Sequence, residues 1–330
     1  MTDFLAGILS GINSIIHNYG WSMVIFTVLI KTVLIPFDYK SRKSMRRMTS
    51  LQPQVAKIQK KYANDKDKLN QKTSELYQRE KINPLSSCGP MLITMPILFI
   101  MFAAMRSIAN TGLATQTFDL LLTGQQVNET WLWIKNLWMP DSPFNAMIPD
   151  AANIQMIPVD IWTKVFNSLD ASQMAQLATM GIDSVTLAGK EAAQTIFAAL
   201  QTIPSYAQET ALWAPMPTIN LIVTQLNIYA NNNGLFILPL LAAGTQVLVT
   251  LTQPQAAPAD PNSSQASTGK MMKYFMPIFT LWLCASYTSA FTIYWVTSNI
   301  FAGVQGVIMN KIFANMDAKQ KASVGEDSLK

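Results

Sequence analysis

The sequence predicts an all-α membrane protein: a five-transmembrane-helix bundle with a cytoplasmic helical hairpin and an external, mostly helical insertion. Three observations predict it. Half of the 330 residues are hydrophobic and only 13% are charged, against about 25% charged in soluble domains. The apolar residues come in blocks long enough to cross a bilayer. The charges are segregated: residues 38–88 carry a net +8 and residues 110–233 a net −6.

Residues 1–19 are the first element. No Lys or Arg occurs in residues 1–20, so the basic region of a cleavable signal is missing. Phe4, Leu5, Ile8, Leu9, Ile12, Ile15 and Ile16 recur at helical spacing, with polar residues between them. That pattern fits an external amphipathic helix lying in the membrane interface or a helix packed on the protein itself. The spans are assigned to residues 20–37, 89–108, 234–252, 273–288 and 289–311, each near the length of a hydrocarbon core, the fourth being short. Pro36, Pro90, Pro96, Pro239 and Pro277 lie in or beside them, where neighbouring helices satisfy the freed carbonyls.

Basic loops stay in the cytoplasm. Residues 38–88 are therefore inside, 109–233 outside, the N-terminus outside and the C-terminus inside. Within the basic loop, Tyr39–Tyr62 and Lys66–Lys81 read as helices around the breaker Asn64–Asp67. Val55, Ile58, Leu69, Leu76 and Tyr77 form a seam between them, and Pro53 delimits or kinks the first. The hairpin's charges either meet anionic lipid heads or ribosomal RNA, or are solvated and only fix topology. Residues 253–272 are rich in Pro, Ser and Ala and read as a flexible cytoplasmic loop. Residues 312–330 read as a polar, disordered cytoplasmic tail. Outside, Trp131, Trp133 and Trp138 mark an interfacial belt. Asn167–Met180 and Gly189–Leu200 have helical spacing, separated by Gly181–Ala188, and Ile219–Ala230 is too short and polar to be a span.

Enzyme chemistry finds no support. The two cysteines, Cys88 and Cys284, make no disulfide framework, and the one histidine, His17, has no Cys/His cluster around it. There is no nucleophile triad and no Gly-rich phosphate loop. No cofactor or metal is expected.

The segment Phe26–Phe37, FTVLIKTVLIPF, poses the functional question, because Lys31 stands inside it. Counted from Phe37, Lys31 lies six residues in, roughly 9 Å at 1.5 Å per residue. Either its ammonium snorkels to the cytoplasmic interface or it faces a wet interior, as ionisable groups in spans commonly do. Weaker candidates accompany it. Thr292, Trp295, Asn299, Ala302 and Gly306 share one helical face of the last span, suiting either a groove or ordinary helix packing. Gln246 in the third span requires water or a partner helix. Met91, Met95, Met101 and Met105 give the second span adaptable apolar side chains, or serve only as lipid-facing filler.

The run from Leu51 to Phe102 resembles the cytoplasmic hairpin and following span of the YidC/Oxa/Alb family of membrane protein insertases. The matching features are the Pro-x-x-x-x-Ile-Gln-x-Lys-Tyr run, the Leu76-Tyr77 pair, Asn83-Pro84, and Cys88-Gly89-Pro90 followed by Pro96. Phe291–Gln305 resembles the family's last span, and Trp131–Asp141 and Gly234–Gln246 its external loop and third span. The chain departs from the pattern in carrying Lys31 where arginine is usual and Thr94 where Gln is common. Its Ser286–Phe291 turn lacks the usual Pro and Gly, and the lipoprotein-type cysteine is absent. Residues 146–231 have no recognised counterpart.

The resemblance implies an insertase and chaperone of the bacterial plasma membrane, working without a cofactor. It implies a hydrophilic groove open to the cytoplasm and to lipid, with Lys31 as its functional cation; Gln246, Thr292, Trp295 and Asn299 are the further substrate-groove candidates, taken from their residue types and helical spacing. The implied partners are nascent membrane proteins and the lipid bilayer, with the Sec translocon and the ribosome beside them and no DNA. The alternative is a small-anion transporter or channel using the same cation, although no inverted repeat is evident. A scaffold presenting the external segment is a third reading.

Overall fold

The structure is a computed structural model that describes residues 2–80, 85–213, 217–220, 225–252 and 271–327. The expected flexible loop lies outside these residues but for its last two, as do Asn83, Pro84 and the side chains of Cys88, Met91, Thr94 and Met95. Among the described residues the fold is helical apart from one short antiparallel strand pair. In order come α1 (Thr2–Ile16), α2 (Tyr19–Ser50), α3 (Gln52–Lys61), α4 (Lys66–Arg79) and α5 (Leu85–Thr123). Six short helices follow: α6 (Ala151–Gln155), α7 (Val159–Phe166), α8 (Ala171–Thr179), α9 (Ser184–Ala188), α10 (Ala192–Gln201) and α11 (Pro204–Ala211). Strands β1 (Thr218–Asn220) and β2 (Gln225–Asn227) pair antiparallel, Ile219 opposite Leu226. Last come α12 (Ile237–Thr252), a π-helical turn (Met271–Phe275), α13 (Met276–Ser286) and α14 (Ser289–Asp327).

Among the described residues, α2 is the one helix long and apolar enough to cross a membrane by the combined test of length and composition. It does not stop where the apolar run ends. It continues through Arg42, Arg46 and Arg47 to Ser50, because these long polar side chains are good helix formers. The expected polar helix from Tyr39 is thus the end of the apolar one, and Pro53 in the first turn of α3 marks the break. Asp65 caps α4, accepting from the Lys68 N–H at 3.0 Å. Leu51, Val55 and Leu76 are buried in the seam of the α3–α4 hairpin.

The chain divides into two compact units. The first comprises Met1–Phe26, Ile100–Leu241 and Leu281–Trp295; the second comprises Thr27–Phe99, Ala242–Thr280 and Val296–Lys330.

In the first unit, Phe118, Trp162, Leu177, Ile196 and Tyr206 form the core beneath the short helices. Asp150 and Asp170 begin α6 and α8 with capping boxes, and Asp183 caps α9. This α9 forms inside the segment expected only to separate two helices. Helix α1 buries Leu5 and Leu9 and exposes Phe4 and Ile15. Met101 and Met105 are buried within this unit rather than turned outward. Trp131 and Trp138 also differ from expectation. They are 9% and 3% exposed, seated over glycines: a Cβ on Gly20 would lie 2.2 Å from the Trp131 ring, and one on Gly112 would lie 2.4 Å from the Trp138 ring. The missing side chains admit the indoles to the protein interior, where the belt assignment had placed them at a lipid surface.

The second unit holds the hairpin and the latter part of α14. The tail expected to be disordered is helical to Asp327. Phe313 stacks on Tyr39 with ring centroids 5.3 Å apart, the Arg46 guanidinium lies 5.4 Å over the same ring, and Arg46 bonds Asp317 at 2.8 Å. These contacts, made by a sequence poor in helix breakers, carry α14 beyond residue 311.

Candidate functional site

Lys31 is placed on α2 in the second unit. At 3.6 residues per turn its face is shared by positions i−4, i+3, i+7 and i+11, which are Thr27, Leu34, Asp38 and Arg42. Thr27 is buried and the other three are half-buried. The opposite side carries Ile25, Leu29 and Val33, exposed by 42%, 44% and 64%. Lys31 itself is half-buried. The cation therefore stands on the protein-facing stripe of an apolar helix, in line with Thr27, Asp38 and Arg42. Among the described residues, no ion pair reaches its amine. Asp38 is the carboxylate whose field acts on both Lys31 and Arg42.

Arg42 is a second cation that the sequence reading did not single out. Its Nη1 donates to the Thr252 carbonyl at 3.4 Å, and Asn310 Nδ2 donates to the same oxygen at 3.1 Å. Thr252 is the last described residue of α12, and its carbonyl takes both of these donors. Burial pulls the guanidinium down from its usual value and Asp38 offsets part of this. It stays charged, since arginine titrates far above neutrality. Gly306 makes room for the junction: a Cβ there would stand 2.8 Å from Thr252 Oγ1 and 3.3 Å from Arg42 Nη1. The signal was available. Arg42 lies three turns from Lys31 on one face, visible once the helix is continued past Phe37.

Gln246 and Asn299 are brought together. Asn299 Nδ2 donates to Gln246 Oε1 at 3.3 Å, and lies 3.4 Å from both the Ala242 carbonyl and Thr245 Oγ1. Both side chains are nearly buried, at 8% and 9% exposure, so the polar groups of α12 and α14 answer one another across that helix pair. Thr292 and Trp295 belong to the first unit. The Thr292 hydroxyl is buried and bonds the Cys284 and Thr288 carbonyls, each at 3.2 Å. Trp295 packs on Phe291, and its buried Nε1 has no hydrogen-bond partner among the described residues.

The first unit also contains a polar plate made by Trp131–Asp141 and the residues before α12. Asp141, fully buried, accepts from the Leu235, Phe236 and Leu238 N–H groups at 2.8, 3.2 and 2.7 Å, and from Trp133 Nε1 at 3.2 Å. Asn233 Nδ2 donates to the carbonyls of Asn136, Met139 and Pro140 at 2.8, 3.1 and 2.9 Å. The Ser289 and Ala290 N–H groups, at the start of α14, donate to the Met139 and Leu137 carbonyls. One loop thus satisfies the exposed N-terminal donors of α12 and α14.

Among the described residues, three cavities stand out. One of about 330 Å³ in the first unit is lined by Tyr19, Gln116, Asp119, Glu129 and Lys164 among others. Burial raises both the Asp119 and the Glu129 carboxyl from its ordinary value. A shallow one of about 360 Å³ is lined by Arg46, Thr49, Ser50 and Asn310. The largest, about 820 Å³, is an apolar groove along α2 and α14 in the second unit. None of the three is lined by Lys31, Gln246, Thr292, Trp295 or Asn299. Among the described residues, no set of His, Cys, Asp or Glu is placed to hold a metal ion.

A helical chain with a long apolar helix, flanked by a basic hairpin and carrying a cation on its protein-facing side, has the build of an integral membrane protein. Comparison with known proteins agrees: the model of the 60Kd inner membrane protein family matches residues 11–189 and 194–317. The chain belongs to that family, and is a bacterial inner-membrane protein. It is 28% identical over 309 residues to a membrane protein insertase YidC of Leptospira interrogans, covering 94% of this chain and 33% of that protein. It is 48% identical over 107 residues to one of Fusobacterium nucleatum, covering 32% of this chain and 52% of that protein. A third, from Chlorobaculum parvum, is 36% identical over 162 residues, 48% of this chain and 25% of that protein. The chain spans between a quarter and about half of the length of these relatives.

Proposed function

We propose that this chain is a membrane protein insertase and chaperone whose working feature is Lys31. In this reading five spans, residues 20–37, 89–108, 234–252, 273–288 and 289–311, surround a hydrophilic groove open to the cytoplasm and to lipid. The N-terminus is outside and the C-terminus inside. The observation that carries the reading is the placement of Lys31 among Thr27, Asp38 and Arg42 on the protein-facing stripe of α2, in a chain whose relatives are named insertases.

The physical task is to lower a barrier. An acidic group at the centre of a membrane helix costs about 2.5–3.5 kcal/mol on the insertion scale. A wet groove shortens the dry path, and a cation within it attracts a passing carboxylate. The attraction must be weak enough for release. Lysine fits this: it is a hydrated point charge without the bidentate fork of arginine. Asp38 moderates the field further. The substrate's apolar segment then partitions sideways into lipid. Nascent membrane proteins are the substrates. The Sec translocon and the ribosome are partners in the same reading, the net positive hairpin being the surface a ribosome would meet.

Reconstitution tests it. Purified protein in liposomes is expected to insert a single-span substrate with an acidic external tail, without conducting a small anion. Lys31→Arg is expected to retain insertion and Lys31→Ala to reduce it about tenfold, equivalent to about 1.4 kcal/mol. Equal insertion by wild type and Lys31→Ala would remove Lys31 from the mechanism.

A further inference from the structure

We infer that the apolar groove between α2 and α14 holds one anionic phospholipid of the inner leaflet, with its phosphate at Lys40 and Lys43 and its acyl chain along Ile35, Val304 and Ile308. The groove encloses about 820 Å³, within the range of about 300–1,000 Å³ typical of ligand pockets. Its position along the helix is what assigns the ligand. Ile35 belongs to the apolar run, whereas Lys40 and Lys43 begin the basic segment. The eight residues from Ile35 to Lys43 rise about 12 Å, so one groove joins the hydrocarbon level to the headgroup level. The lysines are one turn apart, both exposed, and both line the groove. Three exposed aliphatic side chains below them, Ile35, Val304 and Ile308, offer an acyl chain a surface and a water-soluble phosphate none.

Charge at one end and an apolar wall at the other match the two ends of an anionic phospholipid. The inference stands apart from the insertion mechanism, since none of these residues is assigned to substrate transfer.

The test is native mass spectrometry of the full-length protein in detergent, with phosphatidylglycerol and phosphatidylcholine of identical acyl chains. Wild type is expected to retain one phosphatidylglycerol, at least tenfold in preference to phosphatidylcholine. Each lysine near an anionic surface contributes about fivefold, so the double variant Lys40→Gln/Lys43→Gln should lose about 25-fold. Lys57→Gln/Lys60→Gln, on exposed positions of α3, should leave retention unchanged. Equal loss in that second pair would reduce the effect to diffuse surface attraction and overturn the site. So would equal retention of the two lipids, full competition by glycerol phosphate without acyl chains, or displacement by an equimolar single-span peptide, which would assign the groove to substrate.

Discussion

Asp141→Ala removes the carboxylate that holds the start of α12. Four donors lose their acceptor, three of them backbone N–H groups of Leu235, Phe236 and Leu238. The site is dry, Asp141 being 0% exposed, so water does not replace it without opening the plate. Hydrogen bonds to a charged partner contribute about 1.5–3 kcal/mol each, and an unsatisfied buried donor costs about 1–3. Such terms are not additive, and some donors will relax toward solvent. Phe236 is also held at φ 65°, a left-handed conformation disfavoured for a bulky side chain, which the carboxylate helps to fix. A loss of about 3–5 kcal/mol is expected, a large part of the roughly 5–15 kcal/mol that typically holds a domain folded. Asp141→Asn keeps one acceptor oxygen but turns an NH2 toward N–H donors, and should lose about half as much. Gly234 is what lets the carboxylate sit there, because a Cβ on it would collide with Asp141 Oδ1. The assay is reversible unfolding of the protein in nanodiscs, followed by near-ultraviolet circular dichroism. If Asp141→Ala unfolds within 1 kcal/mol of wild type, the plate does not hold α12 as described.

Gly112→Ala drives a Cβ into the Trp138 ring at 2.4 Å and should destabilise by about 1–3 kcal/mol as overpacking. Gly11→Ala, in α1 with nothing within 4 Å, should instead stabilise by about 0.5–1 kcal/mol; thermal unfolding of the pair checks both signs. Tyr206 is 1% exposed and donates to the Pro149 carbonyl at 2.9 Å. Burial, with help from the Asp150 charge, raises its phenol above the ordinary value. An acid whose folded pKa is raised gives stability that is whole below its unfolded pKa, about 10 for tyrosine, and is lost as pH climbs through the folded value. Tyr206→Phe should thus cost about 1 kcal/mol at neutral pH and show a shallower alkaline loss of stability. An alkaline limb as steep as wild type's would contradict that placement.

Periodicity and charge were enough to read α1, the α3–α4 hairpin, the span containing Lys31 and the tight turn before α14. These are local properties of sequence. What was missed depends on contacts between distant segments. The helix through Lys31 continues to Ser50 and α14 continues to Asp327, although hydropathy falls at 37 and 311, because helix propensity persists and Arg46 joins Asp317 and Phe313. Trp131 and Trp138 resemble interfacial tryptophans by composition, and only the glycines opposite them reveal their burial. Ile219 and Leu226 form a two-stranded hairpin that alternation over three residues is too short to announce. At the site, the chemistry of Lys31 was legible as a charge in an apolar run. The Asn299–Gln246 pairing and the junction of Arg42 with Thr252 were not, since their partners lie 53 and 210 residues apart.

Water at position 31 decides the central claim. A Lys31→Cys variant, with Cys88 and Cys284 replaced by Ser and Ala, should react with a membrane-impermeant maleimide applied from the cytoplasmic side of oriented vesicles. Reagent supplied from the outer side should leave it unmodified. A thiol inert from the cytoplasm while a lipid-soluble maleimide labels it fully would place the cation's position in hydrocarbon, and the groove mechanism would fall.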